Sequence, residues 1–308
     1  MRDQAATLAS GLMSPRVVVA VAVYNQAFFL ADALGSILRQ SRPADEVIVV
    51  DDGSTDQPEV IAAAFDGVRL IRRENGGLSA ARNTALADTS CDYIIFLDAD
   101  DVLEPEAIVA GLACFANAPG ASFVYGAHRR LGPALETITP YCLHRLSHPP
   151  HHEFLLGNAV GMHATAMFDV EALRVVGGFD EGLPRCEDYD VYCRMSRSHP
   201  VAFHDALVAG YRQHGSNMSV DHRAMLRWAL AVLDRHRPSD HDQEAIRAWR
   251  KGRARWRAFY ATEALKSSLR RFEMRDVLAA MADVVAAPPA SLARDIALRI
   301  GRLAGVRA

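Results

Sequence analysis

Glu46-Val-Ile-Val-Val-Asp-Asp-Gly-Ser-Thr-Asp56 sets an apolar, β-branched run directly against a cluster of carboxylates and turn formers. A run of that kind, apolar at every position, is what a strand covered on both faces of a parallel sheet requires. The same arrangement recurs downstream, where Tyr93-Ile-Ile-Phe-Leu97 ends in Asp98-Ala-Asp-Asp101, and a further strand, Arg16-Val-Val-Val-Ala-Val-Ala-Val-Tyr24, precedes both. Between the first two strands Phe28, Phe29, Ala31, Leu34, Ile37 and Leu38 recur at helical spacing until Pro43 stops them. A short helix is expected over Val60 to Phe65, a strand over Val68 to Ile71, a turn at Asn75-Gly-Gly77 and a helix over Leu78 to Leu86. Strands alternating with helices at this spacing imply β-α-β units, a parallel sheet and right-handed crossovers. Ligands of such sheets bind outside the carboxyl ends of the strands, so the acids at 51–52 and 98–101 should share one rim.

Beyond residue 101 the pattern is mixed. A helix is expected over Pro105 to Phe115, strands over Ser122 to Ala127 and Gly161 to Phe168, and a helix over Val170 to Val176 stopped by Gly177-Gly178. Leu131 to Pro150, rich in Pro and His, reads as a loop over the cleft. A helix over Asp188 to Ser196 and an extended segment over Val201 to Val208 follow, and from residue 221 the signal is helical, broken at Pro238 and Pro288-Pro289.

The chain has 308 residues, 50% hydrophobic and 23% charged, which excludes disordered and fibrous classes. The longest apolar run, Val17 to Val23, falls far short of the ~20 residues a membrane-spanning helix needs. No apolar stretch of signal-peptide length occurs in the first fourteen residues, so a cytoplasmic location is expected. Five scattered cysteines (Cys91, Cys114, Cys142, Cys186, Cys193) with no C-x-x-C pair argue against a disulfide framework or a zinc site and read as buried thiols. The net charge of −3 hides a division: residues 221–308 hold 18 basic against 10 acidic residues, a balance of +8, whereas residues 1–220 stand at −11.

Crowded carboxylates repel, and the usual compensation is a hard divalent cation with oxygen ligands. Asp98-x-Asp100 at a strand end therefore suggests Mg²⁺ or Mn²⁺ with a phosphate completing the shell, although Asp98 could instead cap the next helix.

The motif has company. Val21-Ala-Val-Tyr-Asn25, Val49-Val-Asp-Asp-Gly-Ser-Thr-Asp56, Asn75-Gly-Gly-Leu-Ser-Ala-Ala-Arg-Asn83, Phe96-Leu-Asp-Ala-Asp-Asp101, Gly177-Gly-Phe-Asp-Glu181 and Glu187-Asp188 stand in this order. Over residues 15–220 the chain closely resembles the family 2 glycosyltransferases. The resemblance implies the GT-A nucleotide-binding fold, a Rossmann-like and mostly parallel α/β sheet flanked by helices, and transfer with inversion at the sugar carbon. It implies that Ala22, Tyr24 and Asn25 line the base pocket and that Asp52 accepts a hydrogen bond from uracil, with sheet-edge packing the plainer use of Tyr24. Arg82 matches a residue facing the diphosphate, a good use of a guanidinium, or else is a solvated helix residue. Asp100 matches the direct metal ligand and Asp98 the position nearer the ribose, while Asp101 either supports the cluster or caps the next helix. Glu187 and Asp188 match the acceptor-side acids, with Asp188 at the position of the base, and both also suit a helix N-terminus. His214, in Tyr211-Arg-Gln-His-Gly-Ser-Asn217, is a candidate metal or diphosphate contact and Arg212 a candidate phosphate partner, against an ordinary surface loop. The histidines at 144, 148, 151 and 152 fit an acceptor-side loop better than a zinc site.

The tail reads Arg247-Ala-Trp-Arg-Lys-Gly-Arg-Ala-Arg-Trp-Arg-Ala-Phe-Tyr260. Basic residues interleaved with aromatics at helical intervals can pack their rings on a core or rest, over 247–275, on an anionic membrane face. No nucleic-acid module accompanies the charge. The expected organisation is a disordered extension over 1–14, a glycosyltransferase domain over 15–220 and a basic helical region over 221–308. The expected function is metal-dependent transfer of a sugar, from a nucleotide-diphosphate donor expected to be a UDP-sugar, to a glycan or lipid-linked hydroxyl in bacterial surface polysaccharide or glycolipid synthesis. Two rivals stand beside it. A nucleotidyltransferase on a related sheet should carry a glycine-rich, lysine-containing loop near the first strand, which is missing, and a sugar-nucleotide-binding protein without activity has no need of Asp98, Asp100 and Asp188 together.

Overall fold

The computed structural model describes residues 14–215 and 217–271, with side chains as far as 267. The expected extension over 1–14, apart from its last residue, and the break at Pro288-Pro289 lie outside the described residues.

The first half alternates as the sequence does: β1 (Val17–Val23), α1 (Ala27–Leu38), β2 (Glu46–Asp51), α2 (Pro58–Ala62), β3 (Val68–Arg72), α3 (Leu78–Asp88) and β4 (Tyr93–Asp98). The short helix starts and stops earlier than its apolar run suggested, because Pro58 supplies a preset first turn. Strands β3, β2, β1 and β4 lie side by side in that order, all parallel. Side chains of β1 alternate between two layers. Val17, Val19, Val21 and Val23 meet Leu30, Leu34 and Ile37 of α1 on one face, while Val18 and Ala20 meet Ala81 and Ala85 of α3 on the other. Each fully buried Val or Ile stabilises the fold by about 1.5–3 kcal/mol. The register sets Ala22 between Val50 and Asp98, and Val23 beside Asp51, so three strands end level and their acids form one rim.

The second half departs from a parallel sheet. After β5 (Val102–Leu103) and α4 (Ala107–Asn117) come β6 (Phe123–Leu131), β7 (Thr137–Cys142), α5 (Pro150–Leu156), a 3-10 turn (His163–Thr165), β8 (Ala166–Asp169), α6 (Val170–Val175), α7 (Glu187–Ser198) and β9 (Val201–Arg212). Strand β8 runs antiparallel to both β4 and β6, β6 pairs parallel with β9, and β5 is antiparallel to β9. Two expectations need correction here. The stretch 131–150 is not all loop: Thr137–Cys142 pairs with β6 as β7, and its mostly exposed residues with Pro140 are the mark of an edge strand covered on neither face. The expected strand over 161–168 is a 3-10 turn followed by only four strand residues, since His163 turns inward to a cage of aromatic rings. No two of these cysteines form a disulfide with each other in the described structure; Cys91, Cys186 and Cys193 are buried and the other two half-buried.

Helices α8 (His222–Arg235) and α9 (Gln243–Arg271), separated at Pro238, pack on the same core. A Cβ at Gly252 would collide with the carbonyl oxygen of Leu155, so only glycine lets α9 lie so close to α5. The Trp249 indole donates to the Leu233 carbonyl (2.8 Å), and Trp256 meets Tyr189 edge-on at 5.8 Å. Trp249, Trp256 and Phe259 are thus directed at the core. Among the described residues no helix is long and apolar enough to cross a membrane.

Candidate active site

At the rim, the chain leaves β1 through Asn25, which adopts a left-handed conformation (φ 51°). Its side-chain oxygen accepts from the Thr55 backbone (2.8 Å) and hydroxyl (3.1 Å), while its own N–H donates to Ser54 Oγ (3.0 Å). Tyr24 stands 51% exposed beside it and Ala22 is half-buried. Buried Asp52 accepts from the backbones of Gly76 (3.0 Å) and Gly77 (2.7 Å) and pairs with Arg73. It therefore pins the turn from which α3 starts, a turn that Gly77 enters at φ 90°.

Helix α3 carries Arg82 into the centre. The guanidinium is buried and donates to Asp98 Oδ1 (2.8 Å) at the end of β4 and to Glu187 Oε1 (2.6 Å) at the start of α7. It also lies 5.4 Å from the Phe179 ring. Burial alone would lower its pKa, but Asp98, Glu187 and Asp188 outweigh burial and hold it above its ordinary value. Arg82 is thus the tie between the two halves of the molecule.

Asp100 is buried, and its Oδ2 receives Gln26 Nε2 (3.1 Å), His214 Nε2 (2.9 Å) and Asn217 Nδ2 (3.5 Å). His214 in turn stacks on Phe29 with ring centres 4.8 Å apart. Burial and repulsion from Asp98 push the Asp100 carboxyl up, partly offset by His214. Asp101 accepts the Arg212 backbone N–H (2.8 Å), and burial followed by the Asp100 and Asp98 charges pushes it well above the carboxylate range. It therefore secures the end of β9 rather than capping a helix. The expected phosphate partner Arg212 is engaged elsewhere: its guanidinium bonds Asp32 (2.7 Å) and lies 4.9 Å from the Phe29 ring.

Helix α7 opens after Cys186, itself left-handed (φ 62°), with Glu187, Asp188 and Asp190 in its first turn, where the helix dipole favours negative charge. The Glu187 carboxylate is taken by Arg82. Asp188, half-buried, accepts a long hydrogen bond from Asn158 (3.4 Å), whose oxygen is fixed by the Val160 N–H (3.0 Å). Burial and the adjacent Glu187 push the Asp188 carboxyl up, to about 7, against the pull of Arg82.

Asp98 and Asp100, with the His214 imidazole against Asp100, are donor types that a hard divalent cation takes. Among the described residues no group of three or more His, Cys, Asp or Glu forms a ready-made metal cage. Asp98, Asp100 and His214 would therefore supply part of a shell. The histidine cluster is no such cage either, because His144 and His148 both bond one buried carboxylate, Glu153 (2.7 and 2.9 Å). Those bonds, after the opposing effect of burial, hold Glu153 down at about 2.

Sequence reasoning placed Ala22, Tyr24, Asn25, Asp52, Arg82, Asp98, Asp100, Glu187, Asp188 and His214 at the site. It missed Gln26, Phe29, Asn158 and Asn217, which touch those residues only through the fold. Two of them carried a signal: Gln26, a polar side chain at the mouth of α1 next to Asn25, and Asn217, in the same loop as His214.

Residues 18–177 match the model of glycosyl transferase family 2. The chain belongs to glycosyl transferase family 2. The family 2 relatives include a chondroitin synthase of Escherichia coli, 30% identical over 210 residues, which are 67% of this chain and 30% of that protein. A chondroitin synthase of Pasteurella multocida is 29% identical over 67% of this chain and 21% of its own length. The chain thus spans between a fifth and a third of these relatives. In fold it is similar to the mannosyltransferase PcManGT from Pyrobaculum calidifontis, solved with GDP-Man and Mn²⁺ (TM-score 0.63, 17% identity, 96% of this chain and 84% of that one). It is also similar to S. aureus TarS 1-349, solved with UDP-GlcNAc (TM-score 0.61, 17% identity, 90% and 82%). The architecture is that of the GT-A glycosyltransferases, a mixed α/β sheet with flanking helices and a helical C-terminal region.

Proposed function

We propose that this family 2 chain is an inverting glycosyltransferase that moves a sugar from a nucleotide diphosphate, a UDP-sugar in our reading, to a hydroxyl of a glycan or lipid-linked acceptor. The observation that carries the reading is the pair of hydrogen bonds from Arg82, one to Asp98 and one to Glu187, which ties the start of α7, where Asp188 lies, to the end of β4. Asp188 takes the proton of the acceptor hydroxyl as that oxygen forms a bond to the anomeric carbon. The bond from that carbon to the diphosphate breaks on the opposite face, and the nucleotide diphosphate leaves with the electron pair. No covalent intermediate is needed. A carboxyl raised to about 7 suits a base working near neutral pH.

Ala22, Tyr24, Asn25 and Asp52 line the place for the base, with Asp52 close to the backbone turn it already holds. Asp98 stands nearest the ribose, and Asp100, Asp98 and His214 would hold Mg²⁺ or Mn²⁺. The cation, when bound, offsets charge on the departing diphosphate. Arg82 and Glu187 are positioning residues, since their charged groups are spent on each other. Residues 15–220 carry the reaction and 221–308 are an appendage to it. The chondroitin synthases among the relatives support a role in surface polysaccharide or glycolipid synthesis, which we place at the cytoplasmic side of the cell membrane.

A panel of UDP-sugars and GDP-mannose, screened by thermal shift with and without Mn²⁺, tests the donor, because a ligand that binds only the folded state raises its melting temperature. Slow release of the nucleotide diphosphate then tests the chemistry. Release that survives Asp100→Ala undiminished would overturn the reading.

A further inference from the structure

Helix α9 divides its residues sharply between two sides. At 100° per residue, Trp249, Gly252, Trp256, Phe259 and Tyr260 fall on the side packed against α5, α7 and α8, in agreement with their contacts. Arg247, Arg250, Lys251, Arg255 and Arg257 occupy an opposite arc of about 160° and are all exposed. From Ala245 to Thr262 the helix contains six basic residues and no acidic one. Arg253, on the flank, is drawn off by Asp234. Arg247, Arg250, Lys251 and Arg257 have no ion pair among the described residues, and Arg255 lies against Gly157, the residue before Asn158. The outer arc is thus a convex cationic ridge about 15 Å long, with its aromatic rings turned away from it.

We propose that this ridge rests on an anionic lipid bilayer by electrostatic attraction, without insertion of aromatic side chains. A convex row of long, flexible cations suits a flat and diffuse anionic surface, to which each Lys or Arg adds independently. A glycan chain would instead need a concave groove to enclose it, and the outer face of a single helix is convex. The placement also has a consequence for the site. Trp256, on the inner side of the same helix, touches Tyr189, the residue after Asp188. Lipid headgroups on the ridge would therefore lie about one helix diameter, ~10 Å, from the start of α7, which suits an acceptor presented at a membrane.

The test is co-sedimentation of the full chain with vesicles of phosphatidylglycerol and phosphatidylcholine, with pure phosphatidylcholine vesicles as the neutral control. The expected result is binding to the anionic vesicles alone, weakened at least about tenfold at 0.5 M salt by screening. The variant R247A/R250A/K251A/R257A should lose about tenfold or more of that affinity, and the corresponding substitution by Lys at the three arginines should retain it, at unchanged melting temperature. Equal binding by the alanine variant overturns the proposal, as does preference of the parent for soluble dextran sulfate over vesicles. No substrate enters the assay, so its outcome is separate from that of donor turnover.

Discussion

The carboxylates at the end of β2 and those at the ends of β4 and α7 face the same rim but are held in different ways. Asp51 and Asp52 are held by nearby chain: Ser54 three residues on from Asp51, and Gly76 and Gly77 some 25 residues on from Asp52 within the same β-α-β unit. Asp100, Asp101 and Glu187 depend on partners more than a hundred residues away, namely His214, Arg212 and Arg82. One side of the site is thus built by local turns, which can form as soon as two strands pair. The other side exists only once the antiparallel half has closed over β4, and it is there that the Asp100, Asp101 and Asp188 carboxyls are pushed upward. Local backbone amides settle a carboxylate cheaply, whereas distant partners leave it partly desolvated and repelled, a condition that favours chemistry.

The largest effect should come from the distant side. Asp188→Asn should lower the turnover number by about 10²–10⁴-fold while leaving the donor-induced rise in melting temperature intact. The wild-type rate should also fall as pH drops through about 7, because the base acts only when deprotonated, and the asparagine variant should lack that limb. A rate independent of pH between about 5 and 8 would remove Asp188 from the role of base. Asp100→Ala should cost about 10²–10³-fold in donor turnover and abolish the metal-dependent part of the thermal shift.

Stability sharpens the same contrast. Arg82→Ala leaves Glu187 buried without a partner and should destabilise by about 3–5 kcal/mol in urea unfolding. Asp52→Ala, which frees two glycine amides near the surface of the turn, should cost about 1–3 kcal/mol. Equal losses would mean that the two sides are not differently built. The smallest effect is expected of Tyr24→Ala, whose half-exposed ring should change donor affinity a few-fold, or about 0.5–1.5 kcal/mol of stacking, with no change in melting temperature.

The parallel half was legible because its signals are local. Apolar runs of four to seven residues declare the buried strands β1, β2 and β4, acids mark the ends of two of them, and β1, β2, β3 and β4 lie within a residue or two of where the sequence places them. The other half was not. Strand β7 is exposed on both faces and contains Pro140, so no apolar pattern marks it, and α5 begins at a Pro-Pro-His-His stretch that reads as loop. His163 belongs to an apolar-looking run but bonds Tyr192 Oη (2.6 Å) amid four aromatic rings, a fate set by neighbours far along the chain. In the tail, the sequence showed aromatic and basic residues interleaved but could not say which side faced inward until Gly252 met Leu155.

By itself the sequence determined the strand-helix alternation, the acidic strand ends and the presence of Asp98, Asp100 and Asp188 in a resemblance to family 2. Only the tertiary structure decided that Arg82 would be buried between Asp98 and Glu187, that His214 would close on Asp100, and that Arg212 would turn to Asp32. The reason is range. Backbone preferences and hydrophobic period act over a few residues and are written there, whereas the pairing of charges across a hundred residues depends on the whole packed sheet.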